Sequence, residues 1–491
     1  MKPIKFKGAA WDSALLAFVK IVTMAVTIAQ TKILSVGFSL QEYGTYSQAN
    51  TIAGIITSLI ALGLCDAVNY FYNKKSGIRE DERMATVNTI LAIELIAGAV
   101  VAAVILLCQD FIVDYFSNEA LKTMMLLIAM KPIADNVLAI YQVLFISAGK
   151  AKVIAIRNFV VSLLKLLAIC CAVYLFKSVE AIFALIILLD ILQIVLFNEL
   201  FAKNVWRINP NKSNFKHVKT ILAYSLPMGV FAITGTLNRE VGKLLVSYVA
   251  TTEELAIYAN CSKVLPFDIV AVSFATVLIP YIMRYVSGNE KENATKLFRS
   301  YLKICYFFAF TLGVAVLIVN EQAISFLYSP EYLPGKSVFM VYIIDSMVRF
   351  ASMHLIITSA GQSGTLMRYS LFSLIANMIL TPVLYNVLGF IGPAVATVAI
   401  SFIYMLLIVN RSVKILDARW LDIFDIKDLA LLSVQLAATG AAFAVIHQML
   451  LGYGINQYVS MIVVMGAFAL LNLVLMKNRI KIVLSTINSL K

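Results

Sequence analysis

Arg239, Glu240 and Lys243 stand inside one apolar run, LPMGVFAITGTLNREVGKLLV, residues 226–246. The run is long enough to cross a bilayer. A charge at the bilayer centre costs about 2.5–3.5 kcal/mol on the insertion scale, so such groups face a cavity or a partner. Arg239 and Lys243 are four residues apart and share one helix face. Arg offers a bidentate fork and Lys a mobile point charge, a combination suited to phosphate. The chemistry expected here is recognition of an anion.

Counting from predicted helix ends, Lys32, Arg239, Lys243 and Lys263 fall in the outer third of the membrane, and Lys20 in the inner third. These five are the candidate substrate-binding cations. The competing reading for the outer lysines is snorkelling to the interface. A basic surface there either draws an anionic headgroup or latches the protein closed. A second set lies nearer the middle of the first half. Asp135, Glu94, Asp190 and Lys165 form a candidate site for a proton or a cation such as Na+. Lys131 with Asp135, and Asp345 with Arg349, are also spaced as intrahelical ion pairs that ease burial. Pro132 beside Lys131 favours a bend.

No catalytic motif accompanies these charges. There is no Walker loop, no G-x-S-x-G and no H-E-x-x-H. The six cysteines lack metal-ligand spacing, and the three histidines are scattered. The reading is a protein that is not an enzyme and that uses no cofactor and no metal.

The elements that position these residues are membrane helices. Of 491 residues, 61% are hydrophobic and 14% charged, against about 45–50% apolar and about 25% charged in soluble domains. Apolar blocks of roughly 20 or more residues recur without two-residue alternation. The fold class is an all-α polytopic membrane protein with about fourteen transmembrane helices. Expected spans are 11–36, 45–71, 84–108, 121–147, 153–176, 180–201, 219–248, 256–284, 301–327, 337–360, 366–389, 391–411, 427–450 and 456–476. The first block has no A-x-A cleavage site after it and reads as a retained helix.

The net charge of +13 reflects topology. Alternate connections and the N-terminus carry 29 Lys and Arg, and the opposite side carries only Lys122, Lys177 and Lys336. The positive-inside rule places both termini in the cytoplasm, with an even number of spans. No nucleic-acid partner is needed to explain the charge.

The chain also repeats itself. Lys32 and Tyr46 correspond to Lys243 and Tyr258, and Ser147-Ala148-Gly149 to Ser359-Ala360-Gly361, at an offset of about 211 residues. The offset spans six helices, an even number, so the repeat is parallel. The expected organisation is a six-helix lobe over residues 1–203, a cytoplasmic linker over 204–214 and a second six-helix lobe over 215–420. Two additional helices and a tail occupy 421–491.

Four short stretches carry a family resemblance: Leu40–Ser47 (LQEYGTYS), Ala61–Leu64 (ALGL), Ser225–Met228 (SLPM) and Leu255–Ala259 (LAIYA). With the helix count and the basic interior, the chain resembles the polysaccharide transporter branch of the multidrug/oligosaccharidyl-lipid/polysaccharide flippase superfamily. The resemblance implies a flippase. It would move an oligosaccharide repeat unit on undecaprenyl pyrophosphate from the inner to the outer leaflet by alternating access. The product would serve O-antigen (lipopolysaccharide), capsule or exopolysaccharide biosynthesis, in a bacterial inner membrane. Alternatives within the superfamily are a flippase for the peptidoglycan lipid precursor and a cation-coupled multidrug exporter. Outside it stands a membrane scaffold or glycosyltransferase. Candidate partners are the lipid-linked oligosaccharide, membrane lipids, H+ or Na+, and a polysaccharide polymerase or glycosyltransferases.

Overall fold

A computed structural model describes the backbone of residues 6–73, 80–204, 213–263, 278, 281–286 and 288–489. It describes their side chains from residue 22 onward, except at 73, 80, 81, 151, 204, 363, 488 and 489. Most of the expected eighth span, 256–284, lies outside the described residues. Helices dominate because an apolar segment in hydrocarbon must satisfy its own backbone hydrogen bonds. Among the described residues, ten helical stretches are long and apolar enough to cross a membrane, and one of them, Gly364–Leu416, is two consecutive helices.

The chain forms two compact units, Met1–Ala256 and Ile257–Lys491. In the first, α1 (Phe6–Gly37) precedes α2 (Leu40–Ala61) and α3 (Leu64–Asn73). Then come α4 (Glu80–Leu107), the short α5 (Gln109–Phe116) and α6 (Ala120–Ser147). The unit continues with α7 (Ala151–Cys170), α8 (Val179–Asn204) and α9 (Val218–Val249). The helix α10 (Thr252–Cys261) begins at its end.

The expected second span is interrupted. Leu62 and Gly63 both take positive φ, +45° and +70°, between α2 and α3. Against this interruption lies α9. A Cβ on Gly63 would strike the Ser225 carbonyl, and one on Gly229 would lie 2.6 Å from the Leu62 carbonyl carbon. The two glycines let the backbones cross at contact distance, which is how membrane helices associate without a hydrophobic drive between them. Aromatic stacks hold both ends of α9. Tyr224 stacks on Tyr70 of α3 at 4.4 Å, and Tyr248 on Tyr115 of α5 at 5.3 Å.

The second unit contains α11 (Lys291–Ile318), α12 (Asn320–Leu327) and α13 (Lys336–Val348). Next are the five-residue α14 (Leu355–Ser359), α15 (Ser363–Leu388) and α16 (Gly392–Leu416). After the single turn α17 (Trp420–Ile423) come the long α18 (Ile426–Gly452) and α19 (Gln457–Ser489).

Local geometry recurs at the repeat offset. Ser39 and Glu42 make a reciprocal capping box at the start of α2, and Thr251 and Glu254 make the same pair of bonds at the start of α10. Gly149 and Gly361 end their helices at φ +75° and +71°.

The last two helices are fastened by polar groups. Asp425, which caps α18, accepts from Lys303 and pairs with Arg299 of α11, both at 2.7 Å. Asp428 accepts from Tyr306 at 2.7 Å and pairs with Arg479 of α19 at 3.5 Å. Between α18 and α19, Gln435 donates to Asn472 at 2.9 Å, and His447 Nδ1 lies 2.8 Å from Ser460 Oγ. Burial raises the Asp425 carboxyl, but the hydrogen bonds from Lys303 and Arg299 outweigh it and hold the group down at about 2.

Candidate functional site

The charged face of α9 meets α2. Thr51 donates to Glu240 at 3.2 Å, and Lys243 Nζ donates to both Glu240 oxygens at 3.2 and 2.9 Å. One turn away, Arg239 Nη2 donates to Thr236 Oγ1 at 3.2 Å, and Ser58 donates to the same oxygen at 2.8 Å. Thr51 and Ser58 are seven residues apart on α2, and Thr236 and Glu240 four apart on α9, so each pair shares a face. The seam is therefore a ladder of hydroxyls and one acid with two bases along it. Glu240 is the answer to Lys243, while the exposed Arg239 is held through a hydroxyl. Two bases and one acid leave the patch with net charge +1. Glu240 was visible in the sequence, but its role as acceptor for Thr51 and Lys243 was not.

The other candidate cations are placed separately. Lys32 lies near the end of α1, half-buried. Lys20 lies in α1, with its side chain outside the described residues. Lys263 belongs to the second unit, where it donates to Asn260 at 2.7 Å and lies 5.8 Å from the Tyr328 ring centre.

The candidate ion site divides into two parts. On α6, Lys131 donates to Asp135. Between α7 and α8, Lys165 lies 3.5 Å from Asp190, whose side chain is fully buried. Gln193 donates to Asp190 at 2.9 Å and accepts from Arg157 at 2.8 Å. Arg157 is a member of this network that was not among the candidate site residues. Glu94 stands apart on α4. It is 1% exposed and hydrogen-bonded to Asn136. Its Oε1 has no hydrogen-bond partner among the described residues.

A groove of about 410 Å³ runs beside this region among α4, α6 and α8. Its wall includes Leu91, Leu95, Ile133, Val137, Ile187 and Ile191, with Asn198 and Glu199 as polar members.

The fold is similar to those of solved membrane transporters. A structure described as "Lipid II flippase MurJ, inward closed conformation" matches with TM-score 0.76 at 15% identity, covering 95% of this chain and 100% of that one. An inward-facing multidrug resistance MATE family transporter of the MOP superfamily matches with TM-score 0.68 at 12% identity, over 82% and 98% of the two chains. Among curated relatives, the probable low-salt glycan biosynthesis flippase Agl15 of Haloferax volcanii is 20% identical over 39% of this chain and 41% of its own length. The probable lipid II flippase MurJ of Rhizobium meliloti is 27% identical over 28% of this chain and 25% of its own length. The chain thus spans less than half the length of each curated relative. The family model described as "Polysaccharide biosynthesis protein" matches residues 37–337, well over half of the chain, and the protein belongs to that family.

Proposed function

We propose that this protein is a flippase for a lipid-linked oligosaccharide. In this reading it carries a repeat unit on undecaprenyl pyrophosphate from the inner to the outer leaflet by alternating access. The glycan then feeds O-antigen, capsule or exopolysaccharide assembly, with both termini of the chain in the cytoplasm. The observation that carries the reading is the membership in a polysaccharide biosynthesis family together with the fold of a lipid flippase. The Arg239, Glu240 and Lys243 seam supports it, because a net positive polar ladder at membrane depth suits a pyrophosphate or an acidic sugar. Lys32, Lys263 and Lys20 are the further cations proposed to meet the headgroup. The apolar groove among α4, α6 and α8 suits the prenyl tail. The α6–α7–α8 charge network and Glu94 are proposed to couple transport to H+ or Na+.

The test is surface polymer in cells carrying Arg239→Ala. The expected outcome is loss of surface polysaccharide at an unchanged membrane level of the protein. Wild-type polymer in that variant would remove Arg239 from the transport path. One second reading has a specific observation behind it. The lipid II flippase fold covers nearly the whole chain, which favours the peptidoglycan precursor as cargo. Depletion would then lyse growing cells, whereas the leading reading expects intact cells lacking surface polymer.

A further inference from the structure

The second unit holds a charged site that the α9 seam does not include. The expected tenth span, 337–360, is not one helix. It comprises α13, ending at Val348, a non-helical stretch over 349–354, and α14. Neither Pro nor Gly occurs in that stretch. Discontinuous membrane helices are where transporters of several folds place substrate or ion sites. At 1.5 Å per residue, the 13 residues of α13 put Arg349 about 20 Å along the span from Lys336. That is deep within a hydrocarbon core of roughly 30 Å.

Arg349 sits at the break and is held from one side. Its Nε and Nη2 both donate to Ser401 Oγ of α16, at 3.1 and 2.8 Å. Ser401 in turn donates to the Thr397 carbonyl at 2.8 Å, so the hydroxyl is fixed. Asp345 Oδ2 lies 3.0 Å from Nε, on a side chain that is fully buried. The Arg349 side chain itself is 38% exposed. Its Nη1 has no partner among the contacts of the described residues. A guanidinium has five N–H donors in a rigid fork. Here Nε and Nη2 point at Ser401, which leaves the Nη1 edge of this partly exposed side chain open to a further contact. At this depth an outward guanidinium edge is stable only on a water-filled path or against an anion.

We propose that Arg349, positioned by Asp345 and Ser401 at the break between α13 and α14, is an anion-binding site for the phosphate groups of a prenyl-linked substrate. The proposal rests on the flippase reading for the identity of the substrate, but not for the existence of the anion site. Asp345 is a positioning residue: its charge holds Nε close while Ser401 takes the fork's inner edge, which leaves the outer edge for a bidentate contact. The break lets the guanidinium leave the helix surface, and the negative end of the α13 dipole favours a cation there.

The test uses the full chain in nanodiscs of zwitterionic phosphatidylcholine, with farnesyl pyrophosphate as probe and farnesol as the uncharged control. The wild type should bind the pyrophosphate more tightly than the alcohol. Arg349→Gln should weaken pyrophosphate binding about tenfold or more and leave farnesol unchanged. Arg349→Lys should recover only part of the loss, because a point charge lacks the fork. Ser401→Ala keeps the charge but frees the side chain, and about a threefold loss is expected. Ser401→Ala reports on the site should Arg349→Gln fail to fold. Undiminished pyrophosphate binding in folded Arg349→Gln, or in Ser401→Ala, would overturn the proposal. Equal binding of both probes by the wild type would also overturn it. Flipping is measured separately on the wild type with a labelled undecaprenyl-pyrophosphate oligosaccharide. No flipping alongside Arg349-dependent binding would sink the flippase reading and leave the anion site standing.

Discussion

In α6, Lys131 precedes Asp135 and the helix runs on unbroken through Pro132. In α13, Asp345 precedes Arg349 and the helix stops at the base. Both pairs are four residues apart, in the fourth and tenth of the spans expected from the sequence. The α6 pair is closed on itself, with side chains 17% and 28% exposed. The α13 pair is split, with the acid wholly buried and the base turned partly outward. A base at a helix C-terminus is favoured by the dipole, and a base in the body of α6 is not. Spacing alone therefore does not distinguish a neutralised pair from a presented charge. What distinguishes them is the end of the helix and the Ser401 hydroxyl from a neighbouring one.

The largest effect should come from stripping the buried acid of the split pair. Asp345→Ala leaves Arg349 without its charge partner; removing one member of a fully buried pair costs roughly 3–5 kcal/mol, and the low end is expected here because the remaining base is 38% exposed. Thermal unfolding in detergent should show a large fall in midpoint, well beyond that of Asp135→Ala in α6. Equal falls for the two variants would erase the distinction. Next in size is Lys165→Met, which leaves the fully buried Asp190 with Gln193 as its donor. A hydrogen bond to a charged group contributes about 1.5–3 kcal/mol, and a fall of that order is expected. No measurable change would place the α7–α8 contact among inert ion pairs.

A third acid, Asp425, pairs with bases outside the expected α18 span. Asp425 is held at about 2, below the unfolded carboxylate near 3.9. A depressed acid adds stability that is present above its unfolded value and is lost as pH falls toward its folded value. Hydrogen exchange of α18 and α19 should therefore stay slow at pH 5 and accelerate between about pH 4 and 2. Asp425→Asn should exchange faster at pH 5 and lose that acid transition; an unchanged transition would assign it to another group. The smallest effect is expected for the double variant Lys131→Met with Asp135→Leu. Replacing a whole closed pair by apolar residues is often neutral, so a change within about 1 kcal/mol is expected. A large loss would show that α6 also presents a charge.

The helical frame was legible because apolar blocks of bilayer length leave the backbone no other structure. The repeat was legible in Ser147-Ala148-Gly149 and Ser359-Ala360-Gly361, whose glycines share a left-handed turn. The four family stretches were legible as resemblance, but their physical work was not. Gly63 and Ser225, from two of them, meet at the α2–α9 crossing. Gly44, in a third, packs against the Thr252 backbone just before the fourth. These are packing motifs, which is why they carry no chemistry of their own. The α9 charges were legible as a patch; which helix would supply Thr51 and Ser58 depended on tertiary packing. The break at Arg349 was hidden, because no Pro or Gly marks it and its support comes from Ser401, 52 residues away.

In the proposed function, this chain moves a pyrophosphate-linked glycan lipid across the bilayer through a path that uses Arg239. Proteoliposomes with a labelled undecaprenyl-pyrophosphate oligosaccharide test it directly, read by a membrane-impermeant enzyme that acts on exposed glycan. Wild-type vesicles should expose inner-leaflet label far faster than protein-free vesicles, and Arg239→Ala vesicles should be slowed severalfold at equal protein content. Wild-type exposure no faster than in protein-free vesicles would rule out flipping of this cargo.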